Sequence, residues 1–445
     1  MRQPVTRRAT LAALGTVAVA GCSFGDDRYW SDPPPFDDSR LDSVTDRQRP
    51  DRRDPIPVSI TTAALDAVTA RVEELLSPIP EPLGVGTVPN GKVRGMITAE
   101  RRAARQALDR MREAPATLPT AAAAADARAS AAEAAGIWAA IVVGRSPTDV
   151  TLSAAATADA IGRLASDLPA VAASPQEAAV VYGAVGWWLD RAERSTLVGD
   201  RPVPARPDPL RVGRATGNYE RVRGEVEIGD HLRERYVASL DYRQPVAEDL
   251  RTAVAELAPA SERRLASLHE PEDEERLYRP PSGDEILSRD VPRDHPGRRL
   301  LSRNVSSYRG EPPYRPIAWP GHDPDFPALE VRATHRAFAV LDAVETIAER
   351  IDDGDDIHPP DAATVREARE EAIDAVAGLG ESESPLERWV GWALASAFEN
   401  PDRRLAAADD GHREPVRAHS EYVWIRTVAD RVPSVTAEVN AAVDG

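Results

Sequence analysis

Ser174-Pro175-Gln176-Glu177 places a serine, a proline and a glutamate at the N-cap, first and third positions of a helix. That spacing closes a capping box and presets φ for the first turn. The residues that follow constrain the fold most. Val181, Tyr182, Val185, Trp188, Leu189 and Ala192 fall on one helix face, and Val180, Ala184 and Trp187 on a second. A helix apolar on two sides belongs in the middle of a bundle. Ser384-Pro385-Leu386-Glu387 repeats the cap ahead of Trp389, Val390, Ala393, Leu394 and Ala397, with Trp392 off the main stripe. Sustained period-two alternation is missing, so the chain reads as all-α: a multi-helix bundle in two lobes, with a long proline-rich irregular segment and at most one small β-hairpin.

The organisation expected along the chain starts with a signal over 1–22. Residues 23–58 are charged and proline-rich without apolar periodicity, the pattern of a disordered tether. An N-terminal helical lobe over 59–200 opens with Leu65, Val68, Val72, Leu75 and Leu76 at helix spacing. Asn90-Gly91, the preferred type I′ pair, predicts a hairpin over Val85–Met96. Thr98–Met111 and Thr120–Val143 read as helices, the second so alanine-rich that neighbouring backbones can approach closely. A linker and two middle helices, Tyr219–Leu240 and Pro245–Ala258, fill 201–270. Residues 271–327 hold 11 prolines and read as irregular. The C-terminal lobe, 328–445, supplies Leu329–Ile351, Ala362–Leu379, the helix capped by Ser384, and Val416–Val432.

Arg2, Arg7 and Arg8 precede an uncharged apolar run from Ala9 to Gly21, about 13 residues, against the roughly 20 needed to span a bilayer. Thr6-Arg7-Arg8-Ala9-Thr10-Leu11 resembles the twin-arginine export signal, although Thr10 and Ala12 stand where that pattern commonly has a large apolar residue and a lysine. Val19-Ala20-Gly21-Cys22 resembles the lipobox of bacterial and archaeal lipoproteins. The resemblance implies cleavage before Cys22, lipid on its thiol, and a mature chain held on the outer face of the cell membrane. Acyl-type chains anchor by about 0.8 kcal/mol per buried methylene.

Charge and composition narrow the partners. Asp and Glu outnumber Lys and Arg by 18, Lys92 is the only lysine, and the signal arginines make the remainder three charges more acidic still. Such a chain resembles proteins of halophilic archaea, whose carboxylates hold water while molar salt shortens the Debye length to about 3 Å. It lacks the basic surplus that nucleic-acid binding needs. With one cysteine it forms no internal disulfide and no multi-cysteine metal site.

Candidate chemistry is sparse. Gly86–Lys92 has the glycine and lysine spacing of a phosphate-binding loop, but Val93 replaces the magnesium-binding hydroxyl and no apolar strand precedes it. The eight histidines form no zinc spacing. His335 sits on an apolar stripe and reads as core, and His412 and His419 are too far apart for one metal without a third group. Asp352–Asp356 lacks the oxygen spacing of an EF-hand and reads as a solvated acidic loop. Trp187, Trp188, Trp389, Trp392 and Trp424 suit either sugar stacking or core. Asn304-Val305-Ser306 is the single N-glycosylation sequon and falls in the segment read as irregular, where an acceptor is expected to be exposed. No cofactor, metal site or catalytic residue is named. Two functions remain: a lipid-anchored binding or assembly module with a protein partner at the cell surface, or an exported hydrolase using paired carboxylates in a cleft between the lobes.

Overall fold

The computed structural model describes residues 41, 43–114, 117–146, 159–166, 168, 171–197, 208–267, 286–292, 295–307, 326–355, 357–406 and 413–444. The described residues are all-α apart from one two-stranded ladder, in two helical lobes. The first contains α1 (Thr62–Leu76), α2 (Gly91–Glu113), α3 (Thr117–Val142), α4 (Pro175–Leu197) and α5 (Pro209–Ser239). The second contains α6 (Ala247–Ser267), α7 (Pro296–Ser307), α8 (Pro327–Asp352), α9 (Ala362–Glu381), α10 (Pro385–Ala397), α11 (Glu399–Ala406) and α12 (Arg413–Asp444).

Local signals set most helix starts. Ser174 Oγ accepts from Glu177 N at 3.1 Å and Ser384 Oγ from Glu387 N at 3.5 Å. Thr61, Asp208 and Asp361 cap α1, α5 and α9 in the same way. Asn90 corrects the expected hairpin: its Oδ1 accepts from Lys92 N at 3.0 Å and Val93 N at 3.2 Å, and Gly91 is the first helical residue. Asparagine suits a helix N-cap as well as a tight turn. Here Ile97, Arg101, Ala104, Leu108 and Met111, all buried on one face, extend the helix back beyond Thr98. The one ladder is instead β1 (Val171–Ala172) antiparallel to β2 (Gln244–Pro245), which are far apart in sequence. Tyr182 Oη donates to the Val171 carbonyl at 2.5 Å, and Ala173 N donates to Tyr236 Oη at 3.2 Å.

Packing divides the two middle helices between the lobes. Helix α5 lies closely along the alanine-rich α3, because Gly213 and Gly217 meet it without side chains. A Cβ on Gly213 would run into Ile137 Cγ1 and stand 2.9 Å from the Glu133 carbonyl oxygen; one on Gly217 would stand 3.0 Å from that of Ala129. Between these helices and α1, buried Glu220 accepts from Arg128 at 2.9 Å and from Arg71. Burial alone would raise its pKa, but these hydrogen bonds outweigh burial and hold the carboxyl below the usual range. Helix α6 packs on α8 and α12. Its Arg264 donates to Asp342 at 2.9 Å and to Glu438 at 2.6 and 3.0 Å while lying 3.9 Å over the Phe338 ring.

The two-sided α4 occupies the middle position its pattern predicts. It packs on α5 within its own lobe and on α8 and α10 of the other. From Ala178 to Val185 every residue is buried. Gly183 sits against the Ala328 carbonyl and the Arg332 side chain, so the two lobes share a close helix crossing.

Three segments depart from expectation. The tether read over 23–58 docks from residue 41 onward, with Leu41, Val44, Ile56 and Val58 buried in the main core. Arg47 pairs with Asp374, Arg49 donates to Asp402 at 2.6 Å, and Asp54 receives Ile56 N at 3.0 Å and Thr117 N. Isolated apolar anchors among charges leave no periodic trace, so local pattern alone missed them. Within 271–327, α7 is helical because Leu300 and Leu301 are buried and Gly297 lets Ile351 and Ile357 come close. Helix α12 continues past Pro433, with Val435, Val439 and Val443 still buried. Among the described residues, no helix is long and apolar enough to cross a membrane.

Candidate functional site

Residues four apart share a helix face, and four helices of the C-terminal lobe turn such faces toward one groove. Helix α7 brings Arg299 and Arg303, α8 brings Arg336 and Val340, and α10 brings Ala393 and Ala397. Helix α12 brings Arg417, Glu421 and Ile425, and α11 closes one side with Asn400 and Arg404. The inner cavity, about 200 Å³, has an apolar floor of Val340, Leu394 and Ile425 beside half-buried Trp424. The outer, about 280 Å³, rests on Leu300 and Val416. Both are lined by Arg303 and Glu421, so they form one continuous groove.

Arginine is the commonest charged residue in its lining. Glu421 accepts from Arg303 and from Arg404 Nε at 3.3 Å, and Glu414 accepts from Arg404 at 2.7 Å and Arg417 at 2.5 Å. Burial opposes ionisation of Glu414, but the hydrogen bond from Arg404 and the charge of Arg417 prevail, leaving its carboxyl below the ordinary value. The Arg404 guanidinium is shifted up in turn, chiefly by its bond to Glu414. Five arginines, Arg299, Arg303, Arg336, Arg404 and Arg417, thus line the two cavities together with Glu421, in a chain whose net charge is −18.

A sixth arginine lies one turn before Arg336. Arg332 is 3% exposed, its guanidinium 4.3 Å from the Trp389 ring, and Nη1 finds no hydrogen-bond partner among the described residues. Burial, with Arg336 adding to it, pushes its pKa down to about 9, so it stays charged at neutral pH. Trp389 stacks on Trp392 at 5.3 Å and 19°, and Arg52 of the docked N-terminal segment lies 4.6 Å over Trp392. The indoles between two cations therefore serve in cation–π stacking.

A further cavity of about 400 Å³ between α9 and α12 is lined by Glu367, Glu371 and Asp430 together with Arg350, Arg426 and Arg431. Glu371 is bound by Arg426, which also lies 3.5 Å from Asp430. His419, buried at its edge, is pushed down to about 4, first by desolvation. This carboxylate-bearing cavity lies within the C-terminal lobe.

Of the residues singled out in the sequence, Cys22, Arg7, Arg8, Val19, Ala20, Gly21 and His412 lie outside the described residues. Asn304 is placed on α7, half-buried, rather than in an irregular loop, and its Nδ2 donates to the Leu300 carbonyl at 2.9 Å while lining the inner groove. His335 is the core residue expected. Its Nε2 lies 2.8 Å from Thr436 Oγ1, whose hydrogen goes to the Val432 carbonyl at 2.8 Å, so the ring donates from Nε2. Asp352 and Asp355 serve neighbours: Asp352 receives Ser288 and Arg289, and Asp355 receives Arg350 and Ile357 N. Among the described residues, no group of three or more His, Cys, Asp or Glu converges on a metal position. The groove arginines escaped the sequence reading; their one local signal was the four-residue spacing of Arg299 and Arg303 inside a segment taken as irregular.

No curated protein and no solved structure matches the chain. Two family models do, and they adjoin. Residues 63–242 match Domain of unknown function (DUF8262) and residues 247–441 match Domain of unknown function (DUF8264). The junction between the two matches coincides with β2, between α5 and α6.

Proposed function

We propose that this chain is a lipid-anchored, outward-facing binding or assembly module without catalysis of its own, fixed to the membrane through Cys22, and that the C-terminal groove is its receiving surface. The observation that carries the reading is the composition of that groove: five arginines, an apolar floor, and carboxylates that are each tied to arginine rather than held ready to move a proton. A glycosidase-type pair needs one carboxyl kept protonated and one kept free. The signal supports the address, since the chain's one cysteine stands at the fourth place of a lipobox. Residues 23–40 span at most about 65 Å when fully extended, so a docked segment beginning at Leu41 would keep both lobes near the surface.

Cys22→Ser with membrane fractionation tests the anchor. The variant is expected in the soluble extracellular fraction, with the wild-type chain in the membrane fraction. Unchanged membrane retention of the variant would overturn the lipid reading.

A further inference from the structure

We propose that one end of the first lobe is a second membrane contact, an apolar tip with a basic rim that seats in the surface of an anionic bilayer. The proposal deepens the lipid-anchored reading and rests on it. Exposure is the first argument. Among the described residues five large apolar side chains stand exposed, and three are consecutive: Ile141 at 37%, Val142 at 56% and Val143 at 76%. They lie at the C-terminus of α3, where Gly144 follows at φ +70°. Val85, 64% exposed between Gly84 and Gly86, is the fourth. The fold gathers it to the same end of the lobe. There Val88 of the α1–α2 loop, Ile97 of α2 and Ile137 of α3 form a small buried cluster, with Leu83, Val93, Trp138 and Leu210 packed against it. Exposed apolar side chains grouped in this way mark a contact surface.

Charge is the second argument. Residues 77–94, 139–146 and 208–212, which build this end, contain Lys92, Arg94, Arg145 and Arg211 as their basic residues and Glu81 and Asp208 as their acids. Both acids are occupied: Glu81 accepts from Arg105 at 2.8 Å, and Asp208 caps α5. Arg94 donates to the Val88 carbonyl at 2.7 Å, while the side chains of Lys92, Arg145 and Arg211 make no ion pair among the described residues. A chain of net charge −18 thus keeps unpaired cations beside its apolar tip, the complement of lipid phosphates.

Size and placement select a bilayer over a second copy or a protein partner. Four aliphatic side chains at a loop and a helix end offer far less than the about 800 Å² per partner that a stable complex buries. An anchor makes so small a patch effective, because it holds the patch at high local concentration beside the membrane. Residues 23–40 reach at most about 65 Å. Helix α3 runs about 38 Å from Thr117, which is bound to the docked Asp54, to Val142. The stalk is longer than the helix, so Cys22 and the tip can meet one membrane. Trp138, half-buried one turn before Val142, suits the headgroup level.

The test uses the full chain with Cys22→Ser, which removes the one cysteine and lets an added cysteine carry a nitrobenzoxadiazole dye at a single site. Val143→Cys labels the tip, and Ser434→Cys labels an exposed position on α12 as control. Both are titrated in molar potassium chloride with vesicles of phosphatidylglycerol or of phosphatidylcholine. On phosphatidylglycerol the emission at position 143 is expected to rise at least twofold and shift to the blue, with position 434 unchanged. Val85→Asp with Val142→Asp should abolish the rise with an unchanged melting curve, and Lys92→Glu with Arg211→Glu should remove the preference for phosphatidylglycerol. No response at position 143, an equal response at position 434, equal responses to the two lipids, or a rise intact in either double variant would each overturn the proposal. So would emission that rises with protein concentration alone, the mark of a second copy. The labelled chains carry no lipid, so failure at the tip leaves the anchor standing, and a failed anchor in cell fractionation leaves the vesicle result unchanged.

Discussion

Glu225 on α5 is buried at 4% exposure, with Oε1 3.4 Å from the Arg191 guanidinium and Oε2 without a hydrogen-bond partner among the described residues. Burial raises its pKa to about 7 from the ordinary 4.5, against the opposing charges of Arg191 and Arg221 and with help from Asp126. The folded state therefore keeps a proton that the unfolded state releases between these two values, and stability drains away as pH rises through that window. At about 1.4 kcal/mol per pKa unit, the loss approaches about 3 kcal/mol by pH 8. Glu225→Gln copies the protonated carboxyl in shape and leaves nothing to titrate. The variant should exceed the wild type by about 1 kcal/mol or less at pH 5, and its advantage should grow by about 2–3 kcal/mol by pH 8. Denaturant unfolding at fixed salt, run on both proteins at pH 5, 6, 7 and 8, measures the difference and cancels every other titrating group. A difference flat across that range, or a variant less stable at pH 8, would refute this assignment of the proton.

Asp402 separates a buried ion pair from an exposed one: burial would raise its pKa, but hydrogen bonds from Arg369, Tyr422 and Arg49 hold it down. Arg369→Ala should cost about 3–5 kcal/mol by orphaning a buried charge, whereas Arg49→Ala, whose side chain is 42% exposed, should cost under about 1 kcal/mol; equal losses in chemical denaturation would contradict the geometry. Gly213→Ala, pressed against the Glu133 backbone, should destabilise by about 1–3 kcal/mol. Gly378→Ala, in a helix with nothing within 4 Å, should stabilise by about 0.5–1 kcal/mol, and thermal unfolding of the pair checks both signs. His335, pushed down to about 3 by burial, stays neutral when folded, so its stability is complete above the ordinary 6.5 and is lost as pH falls toward 3. His335→Gln should move the acid transition to lower pH as followed by circular dichroism, and an unmoved midpoint would remove the histidine from acid unfolding. Lowering salt from molar to dilute buffer should begin unfolding through carboxylate repulsion; a melting temperature indifferent to that dilution would sink the halophilic reading.

The sequence by itself determined the all-α class, the helix starts at Ser174 and Ser384, the central place of α4 and the core position of His335. Each is written in neighbouring residues, through capping oxygens and the 3.6-residue period. Asn90 shows the limit of that code, since one residue suits both a turn and a cap, and the buried face running on to Met111 settled which. Only the tertiary structure decided that residues from Leu41 onward dock, that the two middle helices belong to different lobes, and that arginines from α7, α8, α11 and α12 meet in a groove. Arg47 and Asp374 pair across 327 residues, and Arg303 and Glu421 across 118. No local pattern encodes such meetings, because an ion pair depends on where packing brings two helices and not on the spacing within either one.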